Sequence, residues 1–429
     1  MRKFITILYC LHLISIHSYA QPNNKYTYIQ ADQVFDGKDV HKNWCVVVEK
    51  DLIVYVGPIA DYKISEKTTI IKLNGKTLLP GLIEGHAHLF LHPYNETSWD
   101  DQVLKESRTE RTIRAVQHAN ATLLAGFTTV RDLGTEGAGY DDAGLKRSIE
   151  KGLIPGPRMI IASKAIVAKG SYGPKSSNAD IDLPQGAAEV GNVQEMAAEC
   201  RHQISKGADL IKLYADYRWG LDGASAPAFT IEEIKMAVDI AKAGGRQVVA
   251  HASTPEGMRR AILGGVSTIE HGDGATPEIY ALMKEKGVAL CPTLAAGASI
   301  EQYRGWKPNT TATPKRILEK QQSFKAALDA GVTIMMGGDV GVFTHGKNSI
   351  EMLMMASYGM SNMEVLRSAT SVNAACMGLN EKIGSLRVGL KADLIAVSGD
   401  PLLNLKTLEQ PVFIMKDGII YSTPLVEGK

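Results

Sequence analysis

His86 and His88 close an apolar run, Leu82 to His88, and in an extended strand that period-two spacing aims both imidazoles at the same face. Two imidazoles so placed can hold one metal ion, although HxH alone is also met in ordinary loops. Four further residues of ligand type stand at the ends of other apolar runs: Lys212, His251, His271 and Asp339. Imidazole nitrogen and carboxylate oxygen suit zinc, iron or manganese, so this set can serve two ions. Lys212 is the odd member. An ammonium aimed at two dications is repelled, and a buried lysine readily loses its proton. The neutral amine can then add carbon dioxide and bridge the ions as a carbamate; the alternative is a strand-end lysine paired with a carboxylate.

The elements that must position these residues are eight apolar, strand-like runs separated by helical stretches. The runs are Leu82 to His88, Phe127 to Leu133, Arg158 to Ser163, Asp209 to Tyr214, Gln247 to His251, Ser267 to His271, Val288 to Thr293 and Thr333 to Asp339. Helices fit the gaps at Thr109 to Leu124, Val193 to Lys206, Thr230 to Ala243 and Pro314 to Ala330, the third with Thr230 as N-cap and Glu233 three residues on. Alternation of this kind predicts an α/β fold, a (β/α)8 TIM barrel with its site where strands give way to loops. Short alternating strands before residue 80 and after residue 390 predict a small β-sandwich domain built from both ends of the chain. The expected division is 1–20 signal peptide, 21–80 and 381–429 the two parts of the sandwich, and 81–380 the barrel.

Composition narrows the class of partner. With 429 residues, 45% hydrophobic and 22% charged, the chain can bury a large core. Its 47 basic and 46 acidic residues leave a net charge of +1, which gives nucleic acid or an acidic membrane nothing to attract and points to a small-molecule substrate. Arg2 and Lys3, the apolar run from Phe4 to about Ile16, and Ser18 and Ala20 before Gln21 form an export signal cleaved after Ala20. The apolar run is shorter than the ~20 residues that span a bilayer, so no stable membrane span is expected after cleavage and the protein is expected in the periplasm or outside the cell. Cys10 leaves with the signal; Cys45, Cys200, Cys291 and Cys376 are scattered and are expected to be buried free thiols.

The stretch Leu79-Pro80-Gly81-Leu82-Ile83-Glu84-Gly85-His86-Ala87-His88, with Gly126 to Asp132, Ile269-Glu270-His271-Gly272 and Gly384 to Pro401, resembles the amidohydrolase superfamily in its imidazolonepropionase-like and prolidase-like branch. The resemblance covers nearly all of the mature chain. It implies that His86, His88 and Asp339 bind one divalent ion, that His251 and His271 bind a second, zinc being the expected metal, and that carbamylated Lys212 and a hydroxide bridge the two. It also implies that Asp339 takes the proton of that hydroxide and passes it to the departing nitrogen of a carbon–nitrogen bond.

Dipeptidases of this branch often carry a histidine in a glycine-rich turn after the third strand and a tyrosine two residues beyond the fifth-strand histidine. Here Gly170-Ser171-Tyr172-Gly173 and His251-Ala252-Ser253 depart from both. Candidate substitutes for gripping substrate are Tyr172, Tyr214, Tyr217 and Arg218, the last able to hold a carboxylate through two hydrogen bonds. His345 is read as an exposed loop histidine, and His92, His118 and His202 as structural or solvated. The expected substrate is a dipeptide or N-acyl amino acid. Cyclic amide hydrolysis or deamination on the same fold is the alternative reading, and a non-catalytic binding scaffold the reading outside enzymes. By analogy with such barrels a homo-oligomer is expected.

Overall fold

The computed structural model describes residues 25–423, so the export signal expected at 1–20 lies outside the described residues. Five strands come first: β1 (Tyr26–Phe35), β2 (Val40–Lys42), β3 (Trp44–Glu49), β4 (Leu52–Pro58) and β5 (Thr68–Pro80). β1 pairs antiparallel with β3 and parallel with β5, with an irregularity between Ala31 and Gln33 that bends the ladder. β3 is buried from Cys45 to Val48, and its three consecutive valines suit the pleat.

The centre of the chain is parallel. β6 (Leu82–Ala87), β7 (Phe127–Asp132) and β8 (Arg158–Ile161) form one sheet. β9 (Ile166–Ala168), β10 (Ala188–Val190), β11 (Ile211–Tyr214), β14 (Val248–Ala252), β15 (Thr268–His271) and β16 (Ala289–Cys291) form another, in the order β10-β9-β11-β14-β15-β16. A short antiparallel ribbon, β12 (Asp216–Tyr217) with β13 (Ala226–Pro227), follows β11. Helices alternate with these strands, among them Arg108–Leu124, Val193–Lys206, Ile231–Ala243 and Lys315–Asp329. Thr230 and Glu233 form the expected reciprocal cap of the third.

Seven of the eight anticipated runs are regular strands, and the eighth is not. Residues 333–339 instead make separate backbone bonds on both sides. Leu290 N donates to Thr333 O and Met335 N to Leu290 O on one side, Gly85 N to Met336 O and Asp339 N to His86 O on the other. The cause is close approach. A Cβ on Gly85 would sit 2.5 Å from Met336 O, and one on Gly337 2.8 Å from His86 N. The two segments that carry His86 and Asp339 therefore meet glycine to backbone. Gly337→Ala is expected to cost about 1–3 kcal/mol by overpacking, read by calorimetry; an unchanged melting temperature would contradict this packing.

β17 (Leu394–Ser398), β18 (Phe413–Lys416) and β19 (Ile419–Ser422) return to the N-terminal strands. β17 pairs antiparallel with the end of β5, Leu394 opposite Pro80, and completes an eight-stranded sheet in the order β19-β18-β17-β5-β1-β3-β4, with β2 on β1. Hydrogen bonding thus runs through one continuous sheet rather than the two separate layers of the expected sandwich, because long β5 serves both halves. Side chains of the two halves, Val46 and Val48 with Phe413 and Met415, still share one apolar cluster. Arg158, at the start of β8, pairs with Asp393 and Asp417 and ties this sheet to the parallel strands. Among the described residues no helix is long and apolar enough to cross a membrane. The four described cysteines are free; three are buried as expected, while Cys376 is partly exposed.

Candidate metal centre

The ends of β6, β11, β14 and β15 and the irregular segment after Gly338 converge on a cavity of about 740 Å³, lined by His86, His88, His251, His271 and Asp339. His86 Nε2 and His88 Nε2 lie 3.6 and 3.3 Å from Asp339 Oδ1. These three groups present ligand atoms all within 4.8 Å of one another. The remaining imidazoles extend the row: ring centroids are 5.2 Å apart for His86 and His271 and 4.5 Å for His271 and His251. Lys212 is fully buried, its Nζ 5.4 Å from the Tyr214 ring centroid and without a hydrogen-bond partner. Asp339 Oδ1 is also buried, with the two imidazoles as its neighbours.

Each imidazole is held from behind. His86 Nδ1 lies 2.9 Å from Glu270 Oε2, His88 Nδ1 2.8 Å from Gly134 O, and His271 Nδ1 2.7 Å from Thr293 Oγ1. A carboxylate and a carbonyl only accept, so the Nδ1 atoms of His86 and His88 donate and their Nε2 atoms face Asp339 and the cavity. His251 stacks on Tyr214 at 4.6 Å and 17°. His271 and Asp339 adopt φ of 74° and 61°, the left-handed region that side chains avoid unless the surroundings impose it. Lys320 Nζ donates to the His271 carbonyl at 2.6 Å and helps hold that turn.

Burial dominates the protonation of the cluster. It depresses His86 to about 4 and His251 to about 3, with the Lys212 charge adding to both, and carries His271 well below its ordinary value. Burial also lowers Lys212, against the pull of Glu270 and Asp339. For His88 burial is outweighed by the adjacent Asp339 carboxylate, which lifts the imidazole to about 9. Asp339 itself would be raised by burial, yet His86, His88 and Lys212 hold it down at about 2. The centre thus pairs an ionised carboxylate with imidazoles that are mostly neutral, the form that binds metals.

The amidohydrolase family model matches residues 77–429. The chain belongs to the amidohydrolase family. It is similar to ochratoxinase of Aspergillus niger, 27% identical over 91% of this chain and 85% of the relative. It is also similar to imidazolonepropionase of Fusobacterium nucleatum, 22% identical over 83% and 85%. Among solved structures, a Xaa-Pro dipeptidase with methionine bound in its active site superposes with a TM-score of 0.82 at 31% identity, covering 92% of this chain and all of that one. Together these make the protein a hydrolase.

This amidohydrolase also surrounds its imidazoles with residues that the sequence reading left unassigned. Arg131 donates to both carboxylate oxygens of Glu270, at 2.9 and 3.1 Å, and to Gly85 O, so one buried guanidinium braces the His86 partner and the β6 backbone together. Glu84 accepts from His86 N, Gly338 N and Asn348 Nδ2, clamping β6 to the Asp339 segment. The legible signal was a charged residue inside a strand-like run: Glu84, Arg131 and Glu270 each stand in one.

His345 corrects an expectation. It is buried, hydrogen-bonds Leu91 O through Nε2 and stacks on His118 at 4.1 Å, because the loop after Asp339 folds inward over the helix Arg108–Leu124. His92 is buried between Glu96 and Glu106, and His202 packs edge-on against Tyr140. Tyr172, Tyr214, Tyr217 and Arg218 all line the cavity: the first two are buried, Tyr217 is half-buried and Arg218 is exposed at the mouth.

Proposed function

We propose that this amidohydrolase cleaves the amide bond of a dipeptide-like substrate, using two divalent cations, zinc in the first instance, and a carbamate on Lys212. The observation that carries the reading is the buried Nζ of Lys212, which has no hydrogen-bond partner beside the imidazole row. Orphaned polar atoms in so dry a place cost several kcal/mol unless something else binds them. The donor set fits: neutral imidazole nitrogens and an ionised carboxylate are zinc ligands, and a lysine amine with a depressed pKa is able to take up carbon dioxide. His86, His88 and Asp339 would hold one ion, and His251 and His271 the other, with the Lys212 carbamate between. Two bound cations lower the pKa of water and polarise a substrate carbonyl.

The chain's own groups do the rest. Asp339 Oδ1, open to the cavity, takes a proton from the attacking water and returns it to the departing nitrogen, which leaves only when protonated. The Nδ1 contacts of His86 and His88 fix ring orientation so that the ligand nitrogens need not reorganise. Tyr217 and Arg218 stand on the β11–β13 connection at the mouth, placed to grip the part of the substrate that projects outward. In the same reading the central strands close into the eight-stranded barrel through residues 333–340, residues 81–380 form that barrel, and the signal at 1–20 exports the enzyme.

A panel of dipeptides and N-acyl amino acids, offered to metal-replete protein, tests the reaction. Chelation is expected to abolish turnover, and zinc with bicarbonate to restore it. Intact mass in a gentle preparation should show one added carbon dioxide that acid removes and that Lys212→Ala lacks. About one metal per chain with unmodified Lys212 would instead favour the deaminase-like alternative.

A further inference from the structure

Glu136 is 2% exposed, lines the cavity, and forms no ion pair among the described residues. Its backbone is held at φ 47°, in the left-handed region, within the loop that follows β7. Oε2 is well satisfied, accepting from Tyr172 OH at 2.6 Å and Trp99 Nε1 at 3.0 Å. Oε1 has only Tyr214 OH, at 3.5 Å. Arg111 directs its guanidinium to the backbone carbonyls of Phe90, Thr135 and Glu136 rather than to the carboxylate. A buried carboxylate is thus left with three neutral donors and one weakly engaged oxygen, an arrangement costly to keep unless a cation arrives.

Its surroundings are those of a cation site. The rings of Trp99, Tyr214 and Tyr217 pack about Tyr172, with centroids 5.2, 4.7 and 4.7 Å from it, and all four line the same cavity. Aromatic faces beside a carboxylate favour an organic ammonium. The pocket also adjoins the centre. A Cβ on Gly134 would lie 3.0 Å from Glu136 Oε1 and 3.6 Å from His88 Cε1, so carboxylate and imidazole share one small space. In a dipeptide the α-ammonium is one carbon from the scissile carbonyl and must sit beside the groups that attack it.

Resting on the amide-hydrolysis reading above, we infer that Glu136 and its aromatic surround bind the substrate's α-ammonium. The enzyme then selects dipeptides with a free amino terminus over N-acyl amino acids. An acylated nitrogen is neutral and bulkier, and cannot compensate the buried charge.

Glu136→Gln tests this, because the amide keeps an acceptor for Tyr172 and Trp99 and removes only the charge. For the best-cleaved dipeptide, kcat/KM should fall on the order of tenfold or more, mainly through KM, while its N-acetyl derivative changes about twofold or less. Equal losses on both substrates, or wild-type preference for the acetylated one, would overturn the assignment and leave amide hydrolysis standing. If neither substrate is cleaved, the amide reading fails, and calorimetry with L-methionine and N-acetyl-L-methionine still decides: Glu136→Gln should weaken only the former. Equal affinities in both proteins would refute the ammonium site.

Discussion

Asp339→Asn should lower kcat about a thousandfold or more, the range of a lost general acid–base group compounded by a weakened metal ligand. The substitution keeps the shape of the side chain, and Asp339 N still donates to His86 O, so the backbone that holds the segment against β6 is unaffected. Secondary structure of the metal-free variant should therefore match wild type. Lys212→Met should be equally inactive with a different signature. Its Nζ has no partner in the metal-free chain, so exchanging a buried amine for an apolar side chain of similar length should leave metal-free stability unchanged or higher. What it should lose is the added stability that zinc confers on wild type. Substantial turnover in either variant on a substrate that wild type cleaves would end the mechanism.

Arg131→Met is the second large effect, and it acts through stability. Arg131 and Glu270 are both buried, and the guanidinium is the cation facing a carboxylate that also accepts from His86. Burial alone would raise Glu270, but Arg131 and His86 hold it far down. Removing the guanidinium leaves an uncompensated buried charge, a loss of about 3–5 kcal/mol. Because Glu270 then draws a proton or shifts, His86 loses its fixed partner, and zinc affinity should fall on the order of tenfold or more. Glu270→Gln in the Arg131→Met background should recover part of the stability, and the double-variant cycle measures the coupling. An Arg131→Met protein that melts like wild type would show that the pair does not brace the centre.

The cluster was legible because position carried it: His86, His88, Lys212, His251, His271 and Asp339 each stand at or near the end of an apolar run, and parallel strands bring such ends to one side. What the sequence did not show were partnerships between distant residues. Arg131 and Glu270 are charges in separate strands, and nothing in either run names the other. Glu136 stands among Gly134, Gly137 and Gly139 in what reads as a solvated loop, yet that loop is folded into the cavity wall. His345 was misplaced for the same reason, since a polar loop gives no sign of which way it folds. The eighth strand was expected to be regular because its residues are apolar. Gly337 and Gly338 give up the regular ladder so that two backbones can touch.

The pairing of β5 with β17 also constrains the order of assembly. β5 runs almost directly into the strand bearing His86 and His88, and its flank is completed by β17, which follows the whole parallel region in the chain. A nascent chain that stops short of Leu394 would present all six residues of the cluster on a scaffold with an open seam. Such long-range closure is slow and leaves sticky edges waiting. Completion of the centre should therefore wait on β17, and excising β17 to β19 from the folded protein should disarm a centre they never touch.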